Sequence, residues 1–397
     1  MSASRSCPIC LGTVVDRLHS MSFTLTPTSP LPRAYTVVAC QRCGFVYADT
    51  TGTVEDYGRH YTDFSLYEDP HTATGSGTSD EDRERFSDVV GLLARRFPSH
   101  ARILDVGCGS GGLLVALRNH GFSRLTGIDP SERCVSHMRG LGLAAARATL
   151  DDIPGDLGPF DLVMLSHVLE HLLEPVSALT SLKKLLPQGG SIYLETPDAS
   201  RYTGRPFVPY YFFDTEHINH FDQVSLANLA RAAGLEVACA AAKDIPVKGG
   251  HRYPAVFCIA SKTADDQAAT PLPDTTLRQA LSSYLAECAA RSLRFALLDR
   301  EIAAGTPLAL WGAGSFAQRF MELPWVKNHQ VVAVVDRDHK KVGQEFAGRT
   351  IAPPDQGLKD LPVDTVVLVL VALDGESVAQ EYLRLGLPYR YLIGSNY

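Results

Sequence analysis

A glycine-rich turn at residues 103–113 constrains the fold of this chain more than any other feature. It reads Ile-Leu-Asp-Val-Gly-Cys-Gly-Ser-Gly-Gly-Leu, so a strand-like run enters a turn with Gly107, Gly109 and Gly111 and leaves it as an apolar helix. Because glycine has no Cβ atom, such a turn can adopt unusual backbone angles and press against a ligand. The next strand ends at Asp129, where an acid can accept hydrogen bonds from a ribose diol. This order predicts βαβ units and a parallel sheet.

The glycine spacing distinguishes two kinds of nucleotide-binding protein. Dinucleotide-binding proteins carry Gly-x-Gly-x-x-Gly, whereas this turn carries Gly-x-Gly-x-Gly after a strand that contains Asp105. Together with Gly-Ile-Asp-Pro at residues 127–130, the motif resembles class I S-adenosylmethionine-dependent methyltransferases. The resemblance implies an α/β fold with a Rossmann-like core. It also implies a cofactor site that includes Asp105, Gly107, Gly109, Gly111 and Asp129.

Two further positions are expected near the cofactor. By resemblance, Asp151 occupies the place where the family often hydrogen-bonds the adenine amine, with Asp152 as a near-equal alternative and a solvated turn before Pro154 as the simpler interpretation. His167 follows a buried strand of residues 160–165, at a carboxyl strand end where α/β sheets bind ligands.

Four of the nine cysteines form two Cys-x-x-Cys pairs, Cys7 with Cys10 and Cys40 with Cys43. Each pair can place two thiolates on one metal ion, and the two pairs complete a tetrahedral zinc site with no position left for catalysis. A redox Cys-x-x-Cys would open a helix inside a βαβ unit, which neither pair does. The sequence therefore predicts a structural Zn²⁺ ion.

Length and charge limit the remaining possibilities. A chain of 397 residues exceeds one ordinary domain, and a net charge of −7 argues against a nucleic-acid partner. The chain shows no apolar signal core and no long apolar run, so a cytoplasmic location without membrane contact is expected. Asp80 is expected to cap a helix that reaches Phe97. The predicted domains are a zinc-binding module at 1–75, a methyltransferase domain at 76–262, a linker with a connecting helix at 263–305, and a second Rossmann-like domain at 306–397.

A polar cluster among aromatic residues marks a second candidate site. Residues 212–221 read Phe-Phe-Asp-Thr-Glu-His-Ile-Asn-His-Phe. Buried polar groups are costly unless they are satisfied, and a carboxylate beside a histidine can tune it for proton transfer near neutral pH. We therefore predict His217 as a general base assisted by Glu216, with His220 or a nearby tyrosine as a donor to the substrate. A metal site or a hydrogen-bonded brace is the alternative.

The order of the modules resembles the sugar C-methyltransferases. That resemblance implies C-methylation of a nucleotide-linked keto-deoxysugar, as in antibiotic or surface-glycan pathways, through an enolate formed by a histidine base. The family carries Tyr-Asp-Glu-His at this place; Glu216 and His217 match it, Asp214 stands at the tyrosine position, and Tyr210 or Tyr211 lies close by. An O- or N-methyltransferase acting on a sugar or small metabolite is the alternative function.

The C-terminal region begins with a second glycine turn. Gly312-Ala-Gly-Ser-Phe-Ala, followed by a strand that ends at Asp336, fits a Gly-x-Gly-x-x-Ala fingerprint for NAD. An NAD-binding oxidoreductase is therefore an alternative of another class. The resemblance instead implies a domain that helps to hold the substrate or serves as a scaffold.

Overall fold

The computed structural model describes residues 2–63, 75–150, 152–155, 157–264, 267–373 and 375–396. Its internal contacts divide the chain into two compact units. The first unit is built from Met1–Leu18, Val37–Tyr202 and Glu216–Leu281, and the second from His19–Thr36, Thr203–Thr215 and Ser282–Tyr397. The four cysteines and the glycine-rich core thus fall in one unit, and the connecting helix expected within residues 263–305 is divided between the two.

The N-terminal part supplies short strands and two helices. These are β1 (Val15–Ser22), β2 (Ala34–Cys40), β3 (Val46–Asp49), α1 (Val54–Asp63) and α2 (Asp80–Ala94). The hydroxyl of Ser79 accepts a hydrogen bond from Asp82 N and caps α2, so the cap lies one residue before the predicted Asp80. A serine in extended backbone satisfies the exposed amides of a first turn, which explains the earlier cap.

A seven-stranded sheet forms the centre of the first unit. Its strands and helices are β4 (Arg102–Val106), α3 (Gly112–Asn119), β5 (Arg124–Asp129), α4 (Glu132–Gly140), β6 (Ala144–Arg147), β7 (Leu162–Ser166), α5 (Pro175–Lys183), β8 (Ser191–Pro197), α6 (Gln223–Ala232), β10 (Glu236–Val247) and β11 (His251–Ser261). A two-residue strand, β9 (Asn219–His220), instead joins the N-terminal sheet, whose order is β1-β2-β3-β9.

The strand order of the large sheet is β10-β11-β8-β7-β4-β5-β6. The strands from β8 to β6 pair in parallel, whereas β11 runs antiparallel to both β8 and β10. The carboxyl ends of β4, β5, β7 and β8 therefore meet at one edge of the sheet. Helices α2, α3 and α4 cover one face, where Leu93, Leu117 and Val135 are fully buried.

The C-terminal part forms a second α/β layer structure. Its elements are α7 (Thr276–Ser292), α8 (Phe295–Glu301), β12 (Leu308–Trp311), α9 (Ser315–Phe320), β13 (Val331–Val335), β14 (Glu345–Phe346), β15 (Arg349–Ala352), α10 (Pro354–Gly357), β16 (Val366–Val369), α11 (Gly375–Arg384) and β17 (Arg390–Ile393). The strand order is β14-β15-β13-β12-β16-β17, and every pair except β14 with β15 is parallel.

The Rossmann-like α/β fold expected from the sequence is confirmed. Besides the cap at Ser79, one further detail differs, because the connecting helix expected within residues 263–305 forms two helices, α7 and α8. Within the described residues, we find no helix that combines the length and the apolar character needed to span a membrane.

Candidate active site

The glycine turn after β4 has the backbone that the sequence predicted. Gly107, Gly109 and Gly111 have φ angles of +67°, +52° and +83°, in the left-handed region that favours glycine. A Cβ on Gly107 would lie 2.7 Å from Val168 Cγ2, and one on Gly111 would lie 2.7 Å from Met138 Cγ. A Cβ on Gly109 would meet no heavy atom within 4 Å. Packing therefore requires two of these glycines, while the third presents open backbone where a ligand can approach.

Asp129 braces this turn. Its Oδ2 accepts a hydrogen bond from Gly109 N at 2.9 Å, and its Oδ1 accepts one from Ser131 N at 2.9 Å. Asp129 is thus held at the end of β5, at the edge where open α/β sheets bind ligands. Asp105, at the end of β4, is buried, and burial together with the charge of Asp129 raises its pKa to about 7. Of the adenine candidates, Asp151 lies outside the described residues and Asp152 is exposed.

His167 stands at the carboxyl end of β7 with an unusual backbone. Its φ is +57°, a value that non-glycine residues rarely adopt and that often accompanies functional sites. Its Nδ1 lies 3.2 Å from Glu170 Oε1, and its Nε2 lies 3.3 Å from Glu195 Oε1. The imidazole therefore lies between two buried carboxylates at the carboxyl edge of the sheet, where the cofactor is predicted to bind.

Glu195 is the centre of a charge network that the sequence analysis missed. Its side chain is 0% exposed and contacts Arg85 of α2, Lys243 of β10 and the Tyr193 hydroxyl. Burial alone would raise the pKa of Glu195, but Lys243, His167 and Arg85 hold it well below its ordinary value. These partners come from separate elements, so no local motif could reveal them. The one sequence signal is an acid near the end of an apolar strand.

A cluster of acidic, histidine and tyrosine side chains lies next to the glycine turn. Its members, all in the first unit, are His60, Tyr61, Glu170, His171, Glu216 and His217. The loop after β7 carries Glu170 and His171, and Val168 of the same loop contacts Gly107. His171 and His217 have ring centroids 4.9 Å apart. The predicted Glu216–His217 pair thus gains a histidine partner from the neighbouring loop.

Glu216 makes a contact that the sequence did not predict. Its Oε1 lies 3.4 Å from Nε2 of His60 on α1, and its carbonyl oxygen lies 3.1 Å from His171 Nδ1. Burial raises the pKa of Glu216, but His60, His171 and His217 together lower it to about 2. For Glu170, the contact with His167 and nearby histidine charges likewise outweigh burial and lower the pKa to about 2. Both acids are therefore anionic near neutral pH.

The segment after His217 is tied to the loop after β7. Ile218 N donates to Glu170 O at 2.8 Å, and Asn219 Nδ2 donates to Leu169 O at 2.9 Å. His220 is buried, and burial followed by the charge of His217 lowers its pKa to about 3. His220 is thus neutral near pH 7.

The two remaining site candidates, Tyr211 and Asp214, belong to the second unit. Within that unit Asp214 O accepts a hydrogen bond from Tyr35 OH at 2.8 Å. Tyr211 stacks on Phe207 with ring centroids 4.5 Å apart, and burial together with the charge of Asp214 raises its pKa to about 12.

The described residues contain two groups that could hold a metal ion. In the first, the sulfur atoms of Cys7, Cys10, Cys40 and Cys43 all lie within 4.8 Å of one another. The Cys7–Cys43 and Cys10–Cys40 sulfur distances are 3.6 and 3.4 Å. Tetrahedral Zn²⁺ with Zn–S bonds of about 2.3 Å needs sulfur atoms about 3.8 Å apart, so this donor set fits zinc.

Gly44 closes the second cysteine pair in a conformation that only glycine can adopt there. Its φ is +83°, and a Cβ would lie 1.4 Å from Asp274 O.

The second group that could hold a metal ion is Glu170, His171 and His217, whose ligand atoms also lie within 4.8 Å of one another. Two histidines and one carboxylate suit divalent transition metals.

The second glycine turn, after β12, binds its own acid. Asp336 Oδ2 accepts a hydrogen bond from Ala313 N at 2.9 Å and lies 3.1 Å from Lys341 Nζ, while Oδ1 accepts one from Asp338 N at 2.9 Å. Asp336 thus has three polar partners within its own unit, one of them a lysine.

Comparison with known proteins identifies the region that contains the first glycine turn, the one after β4. Residues 80–240 match the family described as methyltransferase domain. A tRNA U34 carboxymethyltransferase of Saccharophagus degradans is 34% identical over 118 residues, which are 28% of this chain and 36% of that protein. A ubiquinone biosynthesis O-methyltransferase of Caulobacter vibrioides is 35% identical over 101 residues, 24% of this chain and 40% of that protein. The alignments thus span well under half the length of these curated relatives.

A solved structure gives a similar comparison. A SAM-dependent methyltransferase of Methanosarcina mazei aligns with 43% of this chain and 97% of its own, at 18% identity and a TM-score of 0.38. The family match begins with α2 and ends within β10, so it includes the glycine turn, Asp129 and the loop after β7. Residues 80–240 are a class I S-adenosylmethionine-dependent methyltransferase domain.

Proposed function

We propose that this protein transfers a methyl group from S-adenosylmethionine to a small molecule and that His217 is the general base. One observation carries the proposal: the cluster of His217, His171 and Glu170 adjoins the glycine turn, because Val168 contacts Gly107. The open backbone at Gly109, together with Asp129 at the end of β5, fits the cofactor. When bound, S-adenosylmethionine supplies an electrophilic methyl group.

The residues of the cluster support proton removal from the acceptor. His217 takes a proton from a carbon next to a ketone, and the resulting enolate displaces the sulfur from the methyl carbon, forming the new C–C bond. Glu216 and Glu170 stay anionic and stabilise the imidazolium that His217 becomes. His220, neutral at this pH, donates to the enolate oxygen. The order of the modules supports a nucleotide-linked keto-deoxysugar as the acceptor.

A second candidate function is O-methylation. Glu170, His171 and His217 could hold a divalent cation that binds and acidifies an acceptor hydroxyl. The ubiquinone biosynthesis O-methyltransferase among the relatives supports this candidate by name. The name of the tRNA-modifying relative makes a nucleic acid a further candidate acceptor. The net charge of −7 instead favours a small-molecule acceptor.

Isotope exchange distinguishes these functions. The protein is incubated in D₂O with S-adenosylhomocysteine and a panel of nucleotide-linked 4-keto-6-deoxysugars, with and without a chelator. We expect deuterium next to the ketone, unaffected by the chelator, and a loss of about 10²- to 10⁴-fold in exchange rate for His217→Asn. The exposed His120→Asn is the matched control. Exchange that is unchanged in His217→Asn would contradict the assigned base, and chelator-sensitive O-methyl transfer would favour the second candidate.

We also propose that Cys7, Cys10, Cys40 and Cys43 bind a structural Zn²⁺ ion. The expected result is about one zinc ion per chain by elemental analysis, with none retained in Cys40→Ser and a lowered melting temperature. Cys239→Ser, a half-buried cysteine outside this group, should retain its zinc. A zinc-free protein with an unchanged melting temperature would contradict the proposal.

A further inference from the structure

Arg319 is a buried cation in the second unit whose hydrogen bonding is incomplete. It is 9% exposed, and its Nη1 donates to Phe213 O at 3.1 Å. Its Nε and Nη2 are buried and have no hydrogen-bond partner among the described residues. Burial lowers the pKa of Arg319, and the nearby charge of Asp214 opposes that shift. Because unpaired charged donors inside a protein are costly, this pair of N–H groups indicates a partner from outside the chain.

A cavity of about 290 Å³ lies at this side chain. Its lining includes the hydroxyl-bearing residues Ser20, Ser22 and Ser292 and the aromatic residues Phe295, Phe316 and Phe320. His19 and Tyr210 also line it and stack on each other, with ring centroids 4.9 Å apart and planes 13° apart. Tyr210 has a φ of +58°, a strained value for a tyrosine. The cavity volume is near the lower end of small-molecule pockets, about 300–1,000 Å³.

We propose that this cavity binds a compound that joins an oxyanion to a flat ring, with Arg319 holding the anion. Nε and Nη2 form one edge of the guanidinium, and N–H groups in this arrangement match two oxygens of a phosphate or carboxylate. The serine hydroxyls can donate to further oxygens, and the ring packs on the aromatic wall. The inference goes beyond the proposed function, because it assigns a ligand to the second unit and does not require methyl transfer.

The acidic residue in the cavity lining, Glu322, is compatible with an anionic ligand. Its Oε1 accepts a hydrogen bond from Thr24 Oγ1 at 2.6 Å and its Oε2 lies 3.9 Å from Lys327 Nζ. The lining comes from residues 19–22, 209–210, 292–295 and 316–323, and not from the glycine turn at 312–314. The site is therefore distinct from the NAD fingerprint.

Calorimetric titration of the full-length protein tests the proposal. The probes are uridine diphosphate, 4-hydroxybenzoate, inorganic pyrophosphate and uncharged uridine. We expect one of the two ring-bearing anions to bind more tightly than pyrophosphate and uridine. Tighter uridine diphosphate assigns the anion as a phosphate, and tighter 4-hydroxybenzoate assigns it as a carboxylate. Arg319→Gln should weaken that binding by about ten- to a hundredfold. Arg319→Lys keeps the charge without the paired donors and should also lose affinity.

Two controls keep the test decisive. The exposed Arg384→Gln should bind as the wild type does, and melting temperatures show whether each variant is folded. Ser292→Phe fills the cavity without altering Arg319 and should also reduce binding. Binding that persists in both Arg319→Gln and Ser292→Phe would overturn the proposal, as would the absence of binding by either ring-bearing anion. Equal affinity for pyrophosphate and uridine diphosphate would overturn the role of the ring.

Discussion

Two glycine turns in this molecule begin with the same pattern and differ in their surroundings. After β4, a Cβ on Gly109 would meet open space, and the turn adjoins a loop that carries Glu170 and His171. After β12, Gly314 is similarly open, since a Cβ there would meet only Lys341 Nζ at 3.9 Å, but the matching acid Asp336 pairs with Lys341. The two turns therefore differ in the side chains around them and not in the openness of the backbone, and the same strand–turn–helix signal supports a methyl-transfer site only where acids and histidines lie nearby.

The largest expected effect concerns the buried charges beside the first turn. Glu195→Gln leaves Arg85 and Lys243 without their shared carboxylate, so we expect a loss of about 3–5 kcal/mol in the free energy of unfolding. The matched change in the second unit, Glu322→Gln, affects a half-exposed acid and should cost at most about 1 kcal/mol. Urea denaturation of both variants provides the comparison. Equal losses of stability in the two variants would show that the buried charge network around Glu195 stabilises the fold no more than the half-exposed Glu322 does.

The glycines themselves provide the next comparison. Gly107→Ala combines a left-handed backbone with a 2.7 Å approach to Val168, so it should lose about 2–5 kcal/mol of stability and bind S-adenosylmethionine more weakly. In Gly314→Ala, the new Cβ would meet only Lys341 Nζ at 3.9 Å, and both properties should remain unchanged. Thermal unfolding and calorimetric titration measure these effects. Weaker S-adenosylmethionine binding by Gly314→Ala would remove the functional distinction between the turns.

The smallest effect is a pH dependence that originates at Asp105. Its pKa is raised to about 7 in the folded protein, so the folded state binds the proton more tightly than the unfolded chain does. Its contribution to stability is complete below about pH 4 and is lost as the pH rises through 7. Asp105→Asn should remove a few kcal/mol of this pH dependence. Denaturation at pH 5 and pH 8 tests the prediction. If the change in the free energy of unfolding between the two pH values is the same in the wild type and in the variant, the prediction is wrong.

The sequence predicted much of the fold because its signals are local. Each signal occupies a short stretch of sequence. Examples are the glycines at 107, 109 and 111, the strand that ends at Asp129, and each Cys-x-x-Cys pair. The same holds for Glu216 and His217. The structure adds the loop contact between Val168 and Gly107, which brings His171 to this pair.

The missed residues share a physical reason. His60 reaches Glu216 from α1, and Arg85 and Lys243 reach Glu195 from α2 and β10. Each contact joins residues far apart in the chain, and no spacing rule encodes it. Two smaller differences are the division of the connecting helix expected within residues 263–305 and the earlier cap at Ser79. Both arise because helix ends depend on single hydrogen bonds.

The most direct test of the central claim is the binding stoichiometry of S-adenosylmethionine. Calorimetric titration of the full-length protein should give one site per chain, lost or weakened in Gly107→Ala and retained in Gly314→Ala, with no heat of binding from NAD⁺. This result would place the methyl donor at the turn after β4. Absence of S-adenosylmethionine binding, or binding that Gly107→Ala leaves unchanged, would contradict the account.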